Sequence, residues 1–175
     1  MKSAVLALCL FSFAFFVGCA AQPSSQPAAP QAAASAEGEK FLLAEEPAGA
    51  ADVRAAREKA QDNEEVVVVG RIGGSENPWV AGRAAFSIVD RSLLACSDRE
   101  GDNCPYPWDY CCETDKLPTS TAMVKVVDDN GTLVAADARE LLGVKELQTV
   151  VVRGKAQRDE AGNLTVLASS LYIKP

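Results

Sequence analysis

The sequence predicts a mainly β domain: a small five-stranded barrel with a short helix between strands 3 and 4 and a long cysteine-rich loop between strands 2 and 3. Five segments after residue 62 are rich in β-branched or alternating apolar residues, as buried and half-buried strands are. Asp137 and Gly143 bracket one or two helical turns, because aspartate caps helix starts and glycine ends helices. About thirty residues, 91–122, separate the second strand from the third, a long connection for a compact barrel.

The five predicted strands differ in pattern. The first is a continuous β-branched run leading into Gly70, where we expect a bulge or coil because glycine has no side chain to pack. The second alternates, with Phe86 and Ile88 on one face. The predicted bounds are Val66–Val69, Ala84–Asp90, Ala122–Val127, Thr149–Ala156 and Leu164–Ile173.

This element order, the glycine in the first strand and the helix position resemble the OB-fold, a five-stranded Greek-key barrel. The resemblance covers about Asp62 to Pro175 and includes no diagnostic motif. Another small β-barrel or an open sandwich would give much the same pattern of strands. OB-folds are most often binding platforms, so the resemblance implies a binding surface that includes the loops Gly73–Arg83 and Gln157–Asn163.

The first residues predict export. Residues 1–18 have a positively charged start and an apolar run of about fourteen residues, too short to span a bilayer comfortably. The ending Phe-Val-Gly-Cys-Ala-Ala resembles the lipobox of bacterial lipoproteins, which implies that Cys19 carries the lipid. We therefore expect attachment to a bacterial membrane, with the domain in the periplasm or outside the cell. The alternative is an ordinary cleaved signal with an incidental cysteine.

Two segments separate Cys19 from the barrel. Residues 19–36 contain alanine, proline, glutamine and serine without charge, and we expect a disordered tether because such a segment buries too little apolar surface to fold. Residues 37–61 are a lead segment with a short predicted helix. We expect Phe41, Leu42 and Val53 to pack this segment onto the barrel.

Composition limits the function. The chain has a formal charge of −7 and no histidine, so the commonest general base and the commonest metal ligand are both missing. Residues 62–175 contain 12 Lys or Arg against 18 Asp or Glu, and nucleic-acid binding needs clustered positive charge. We expect no nucleic-acid partner. No residue pattern specifies catalysis or a calcium loop, and acidic residues of the cysteine region are expected to be solvated.

Six cysteines are present, of which Cys9 lies in the predicted signal and Cys19 in the lipobox. The other four are Cys96, Cys104, Cys111 and Cys112. An even number of cysteines in an exported domain favours disulfides. Adjacent cysteines would form a strained ring, so Cys96 and Cys104 are each expected to pair with one of the two others. Each loop of about fifteen residues closed in this way contributes on the order of 3 kcal/mol.

A metal site is the alternative for the same cysteines. Four thiolates can hold zinc or iron, and fewer can hold copper(I). The spacing decides nothing, because structural zinc sites usually have cysteines two to four residues apart. A reactive redox pair is a third alternative, although the sequence has no C-x-x-C motif. With disulfides, no cofactor is expected.

These observations predict a membrane-anchored, noncatalytic binding module of the cell envelope. Two disulfides would staple a loop that displays Tyr106, Trp108 and Tyr110 to an envelope protein, a glycan or a small molecule. Trp79 and Arg83 follow the first strand, where Trp79 either stacks on a ligand or caps the barrel end. The alternative is a metal-binding or electron-transfer protein that uses the four cysteines.

Overall fold

The computed structural model describes residues 33–175. The predicted signal, Cys19 and the tether up to residue 32 lie outside this range. The described residues form six strands and three short α-helices. The strands are β1 Ala51–Asp52, β2 Glu65–Ile72, β3 Ala85–Val89, β4 Thr121–Val126, β5 Thr149–Arg158 and β6 Leu164–Ile173; the helices are α1 Val53–Lys59, α2 Leu117–Ser120 and α3 Ala138–Leu142. No helix in residues 33–175 has the length and apolar character needed to cross a membrane.

Strands β2 to β6 form a closed barrel, which confirms the mainly β, five-stranded prediction. Their order is β2, β3, β4, β6, β5, and β5 returns to pair with β2. Strands β4 and β6 are parallel, whereas the other neighbours in the barrel are antiparallel. Closure leaves none of the five strands as a free edge, although β2 and β3 join through only two residue pairs, Arg71 with Val89 and Ile72 with Ile88.

The predicted short helix is α3, in the interval between β4 and β5. In the chain these are the fourth and fifth strands, because the two-residue β1 precedes the barrel and was not predicted from sequence. Strand β1 pairs in parallel with β2, with Ala51 opposite Val68. Helix α3 begins after Asp137, whose side chain accepts a hydrogen bond from the Arg139 amide, and ends at Gly143 with a φ of 67°. Both ends therefore lie where the sequence predicts them.

The barrel core follows the alternating pattern of its strands. In β4, the side chains of Ala122, Val124 and Val126 point inward and are buried, while the residues between them are half-buried. Strand β3 adds Phe86 and Ile88, both with 0% exposure. Removing this apolar surface from water is the main favourable contribution to folding, at about 25 cal/mol per Å².

The bulge that the sequence predicts at Gly70 is absent from the β2–β5 pairing. Pairing of β2 with β5 runs without a register shift through Gly70, which lies opposite Val150. A Cβ at position 70 would lie 3.0 Å from atoms of both Val53 and Ile88, so this glycine allows α1 and β3 to approach β2 closely. The register shift instead occurs in the pairing of β5 with β6, between Arg153 and Gly154.

The lead segment packs on the barrel, as predicted. Phe41 and Val53 belong to the main core, and Leu42 packs against it. The contact with α3 begins just before this segment, at Ser35 near the end of the predicted tether, whose amide and hydroxyl both donate to the Leu141 carbonyl. Gly38 lies so close to α3 that a Cβ there would overlap the same carbonyl. The lead segment thus covers one side of the barrel and belongs to the same folded unit.

Asp90 connects the start of α1 to the end of β3. Its carboxylate accepts hydrogen bonds from the Arg54 amide at 2.7 Å and from the amide and hydroxyl of Ser92. Burial, the largest single influence, raises the pKa of Asp90, but the hydrogen bonds from Ser92 and Arg54 together outweigh it and hold the pKa below its usual value. Asp90 therefore stays ionised although its exposure is only 3%.

Replacing Gly154 by alanine should destabilise the barrel by about 1–3 kcal/mol, because the added Cβ would enter a packed region. That Cβ would lie 2.0 Å from the Leu167 carbonyl oxygen on the neighbouring strand. The measurement is chemical denaturation. Gln157→Ala, an exposed position on the same strand, is the control and should change stability little. Equal stability of the two variants would show that β5 and β6 are not paired in this register.

Asp90→Ala should lower the free energy of unfolding at pH 7 by about 1–3 kcal/mol, because three donors lose their acceptor. The pKa of Asp90 is lowered in the folded state, so its contribution is complete above the unfolded value of about 3.9 and is lost as pH falls through the folded value. Denaturation between pH 7 and pH 2 should therefore show a shrinking difference from wild type. Asp129→Ala, in an exposed turn, is the control and should change the free energy of unfolding at pH 7 little.

Candidate metal centre

The cysteine loop, residues 91–120, runs from the end of β3 to the start of β4. Its two arms lie side by side: the Cys96 amide donates to the Asp109 carbonyl at 2.8 Å, and the Ser97 amide donates to the Pro107 carbonyl at 3.0 Å. Each arm contains a 3-10 helix, Cys96–Asp98 in the first and Cys111–Glu113 in the second. This pairing brings the cysteines at the starts of the two 3-10 helices together.

Three thiols of the loop meet at one point. The Sγ atoms of Cys96, Cys104 and Cys111, the cysteine triad, all lie within 4.8 Å of one another, and those of Cys96 and Cys111 are 3.3 Å apart. Cys96 is 2% exposed, Cys104 is half-buried and Cys111 is exposed. The triad therefore has a buried side at Cys96 and a side open to solvent at Cys111.

The two predicted disulfides are not present, and all four cysteines of the loop are free thiols. A disulfide needs an S–S distance of about 2.05 Å, well below the 3.3 Å between Cys96 and Cys111. The prediction assumed two pairs because the count is even. The loop instead places three thiols together, while Cys112 is outside the triad with its Sγ 4.0 Å from that of Cys111.

The first arm of the loop is attached to the barrel through Asp98. Its carboxylate accepts hydrogen bonds from the Ala95 amide and from the Arg71 side chain on β2. Arg71 also donates its Nε–H to the Leu147 carbonyl, which fixes the guanidinium between the two partners. Burial, the largest influence, raises the pKa of Asp98, but the bonds from Arg71 and Ala95 outweigh it and the net pKa is lowered.

The second arm is attached to the first through Glu113. This side chain lies between the charged groups of Arg99 and Lys116 and pairs with both. The hydrogen bond from Lys116, with the charge of Arg99 in support, lowers the pKa of Glu113. The sequence predicts Asp98 and Glu113 to be solvated acids. Arg71 is 27 residues from Asp98, and Arg99 is 14 residues from Glu113, so no local pattern indicates these two partners. Lys116, three residues after Glu113, is a local partner.

Of the three loop aromatic residues predicted to be displayed, Tyr110 is buried, and Tyr106 and Trp108 are half-buried. Tyr110 is 1% exposed and packs in a small second core with Val89, Leu93 and Ala95; burial raises its pKa to about 12. Trp108 is half-buried and donates its Nε1–H to the Glu76 carbonyl at 2.9 Å. Tyr106, also half-buried, has its ring 6.1 Å from that of Trp108.

Trp108 also joins the cysteine loop to the loop after β2. The Trp108 carbonyl accepts a hydrogen bond from the Gly74 amide at 3.2 Å. A Cβ on Gly73 would lie 2.5 Å from the same oxygen, so glycine is required for the two loops to approach this closely. The cysteine loop is thus attached to β2 through Arg71 and to the loop after β2 through Gly74.

Trp79 caps the barrel, as one of its two interpretations predicted. It is 7% exposed, its ring centroid is 5.6 Å from that of Phe86, and its Nε1–H donates to the Glu146 carboxylate at 2.6 Å. It is therefore not available to stack on a ligand. Arg83 is exposed, so of the five residues proposed as a ligand surface only Tyr106, Trp108 and Arg83 retain accessible side chains.

Two thiols of the triad, those of Cys96 and Cys111, favour their protonated form because their pKa values are raised. Burial raises the pKa of Cys96. The hydrogen bond with Cys96, followed by burial, raises the pKa of Cys111 to about 12. Nucleophilic and redox-active cysteines need the opposite shift, because the thiolate is the reactive form. A cation bound among the sulfurs would compensate their mutual repulsion and stabilise three thiolates.

No protein-family model matches this chain, and no curated protein is significantly similar to it. The chemistry of the site is therefore inferred from its own geometry and donor set.

Alkylation of the reduced, metal-free chain should label Cys111 slowly although it is exposed, because a pKa of about 12 leaves few thiolates at pH 8. The rate at Cys111 should rise about tenfold per pH unit for as long as the protein stays folded, since the thiolate fraction does so below the pKa. Time-resolved peptide mass spectrometry measures this rate, with Cys112 as the exposed reference. Labelling of Cys111 at the rate of an unstructured cysteine would contradict the triad geometry.

Proposed function

We propose that this chain is a metal-binding protein of the bacterial envelope, which holds one soft metal ion on the thiolates of Cys96, Cys104 and Cys111. The observation that carries the proposal is the convergence of these three sulfurs to within 4.8 Å of one another. This is the alternative that the sequence leaves open, and the geometry favours it over the disulfide-stapled module.

The sulfur separations fit ligation of a single ion. Zinc–sulfur bonds are about 2.3 Å long, so two thiolates on one ion lie roughly 3.8–4.0 Å apart. The sulfurs of Cys96 and Cys111 are 3.3 Å apart, somewhat closer than this, and all three sulfurs lie within 4.8 Å of one another, so small side-chain movements would bring them to ligating distances. Thiol burial supports the same function: Cys96 is 2% exposed with its Sγ directed at Cys111 in the triad.

The donor set selects the class of metal. Three thiolates and no histidine suit soft ions, above all copper(I), whereas magnesium and calcium prefer oxygen ligands. Zinc also fits, with three protein ligands and a water as the fourth. Iron–sulfur clusters generally use four cysteines, so a triad favours a single copper(I) or zinc ion over a cluster. Within residues 33–175, no carboxylate joins the three sulfurs as a further close donor.

The surrounding domain fits a binding role. We assign the barrel to the OB type, a Greek-key barrel, on the strength of its strand order, its parallel β4–β6 pair and α3 between β4 and β5. The lipobox resemblance supports a lipid on Cys19 and an exported, membrane-anchored, noncatalytic protein. Recognition of an envelope protein, glycan or small molecule is the second candidate function, and Tyr106 and Trp108 are its accessible aromatic side chains.

Anaerobic titration of the reduced full chain with copper(I), and separately with zinc, tests the proposal. Wild type should show thiolate-to-metal charge-transfer absorption that saturates at one ion per triad. Cys96→Ser, Cys104→Ser and Cys111→Ser should each weaken binding about 10–100-fold or more, because a lost ligand costs at least as much as a lost second-sphere contact.

Cys112→Ser is the matched control, since it removes a thiol one residue from the triad. It should leave the affinity close to that of wild type. Cys9 and Cys19 are the same in wild type and in all four variants, so any metal binding by these two residues does not affect the differences in affinity. Equal affinity of all four variants and wild type, or no saturable binding in wild type, would overturn the proposed function.

A further inference from the structure

We propose that Cys112 is a transfer ligand, which takes over an ion held by the cysteine triad and passes it to an acceptor protein with thiolate ligands. The inference rests on the proposed function and extends it from holding a metal to transferring one. It assigns a role to the one cysteine of the loop that the triad leaves out.

Cys112 neighbours Cys111 but is not part of the triad. Its Sγ lies 4.0 Å from that of Cys111, but it does not lie within 4.8 Å of all three triad sulfurs. Two thiolates that share an ion with bonds of about 2.3 Å are roughly 3.8–4.0 Å apart. The sulfurs of Cys111 and Cys112 therefore already have the separation that two ligands of one ion have.

The four thiols differ in solvent exposure, which gives the transfer a direction from the interior to the surface. Cys96 is buried, Cys104 is half-buried, and both Cys111 and Cys112 are exposed. An ion that moves from the triad toward the Cys111–Cys112 pair therefore moves from the interior to the surface, where an incoming ligand can reach it. Closed structural sites lack such an exit, because all their ligands are enclosed and fully used.

The transfer is a ligand exchange in which neither charge nor electrons are lost. The Cys112 thiol gives its proton to solvent and its Sγ–metal bond forms. The bonds from the metal to Cys96 and Cys104 then break, and each of these thiolates takes a proton from solvent. Cys111 stays bonded throughout this step, so the ion is held by Cys111 and Cys112. Acceptor thiolates next bond to the ion, the Cys111 and Cys112 bonds break, both freed thiolates take protons from solvent, and the metal keeps its oxidation state.

The ion pairs of Glu113 with Arg99 and Lys116 keep the loop in place during this ligand exchange. Glu113 follows Cys112 directly and is held by Arg99 and Lys116, so the backbone that carries both exposed thiols is fixed to the first arm of the loop. The ion can then change ligands while the loop keeps its position on the barrel.

The test measures the rate of metal release separately from affinity. The full chain is loaded with copper(I) without oxygen and mixed with an excess of bicinchoninate, a chromogenic copper(I) chelator, as the acceptor, and the formation of the coloured complex is followed by stopped flow. Cys112→Ser should keep the wild-type affinity and release the ion at least about tenfold more slowly, because the exposed intermediate ligand is missing. Thr114→Ala, an exposed change two residues away, should match wild type in both measurements.

Two results would overturn the inference. An unchanged release rate in Cys112→Ser would show that the ion leaves without this thiol. A loss of affinity of about tenfold or more would show that Cys112 is a permanent ligand. Failure of the triad to bind metal at all appears earlier, in the equilibrium titration of wild type, and would overturn both proposals.

Discussion

Two backbone hydrogen bonds across the cysteine loop determine where its thiols lie. They join Cys96 to Asp109 and Ser97 to Pro107, and so fold about thirty residues into two adjacent arms. Without this pairing, Cys96 and Cys111 would be 15 residues apart on a flexible segment, and ordering it would cost about 1–2 kcal/mol per residue in backbone entropy. The backbone hydrogen bonds of the loop and the ion pairs of Arg71 and Glu113 offset this entropy in the folded protein, so the three thiols are already close together before an ion binds.

The barrel and the loop have different tasks. The closed barrel pairs the backbone groups of its strands and buries a core that includes Phe86 and Ile88, which gives a rigid platform. The loop has only a small core of its own, around Tyr110, and relies on charged side chains to stay in place. Function is thus concentrated in a connection that the barrel holds at both ends, a common arrangement in folded proteins.

Sequence patterns predict the barrel better than the site, for a physical reason. Strands β3 to β6 and α3 follow from local periodicity and caps, and the structure has them within a few residues of the predicted bounds. The register shift at Gly154 arises in the pairing of β5 with the next strand, β6, and the short β1 forms by pairing with β2. Neither feature is visible in the pattern of apolar residues within one strand. In the loop, cysteine counting indicates pairs. The triad forms because the folded loop brings Cys104, midway along it, close to Cys96 and Cys111. The spacing of the cysteines in the sequence does not predict this loop conformation.

Free thiols in an exported domain would be exposed to oxidation, and a bound metal protects them by using their lone pairs. This connects the proposed envelope location to the proposed site, because the triad would need a bound ion more strongly to stay reduced in a more oxidising compartment.

The most direct measurement is X-ray absorption spectroscopy of the metal-loaded full chain. Three sulfur ligands at about 2.3 Å, unchanged in number in Cys112→Ser, are the predicted result. Four sulfur ligands, or a shell dominated by oxygen, would contradict the three-thiolate centre.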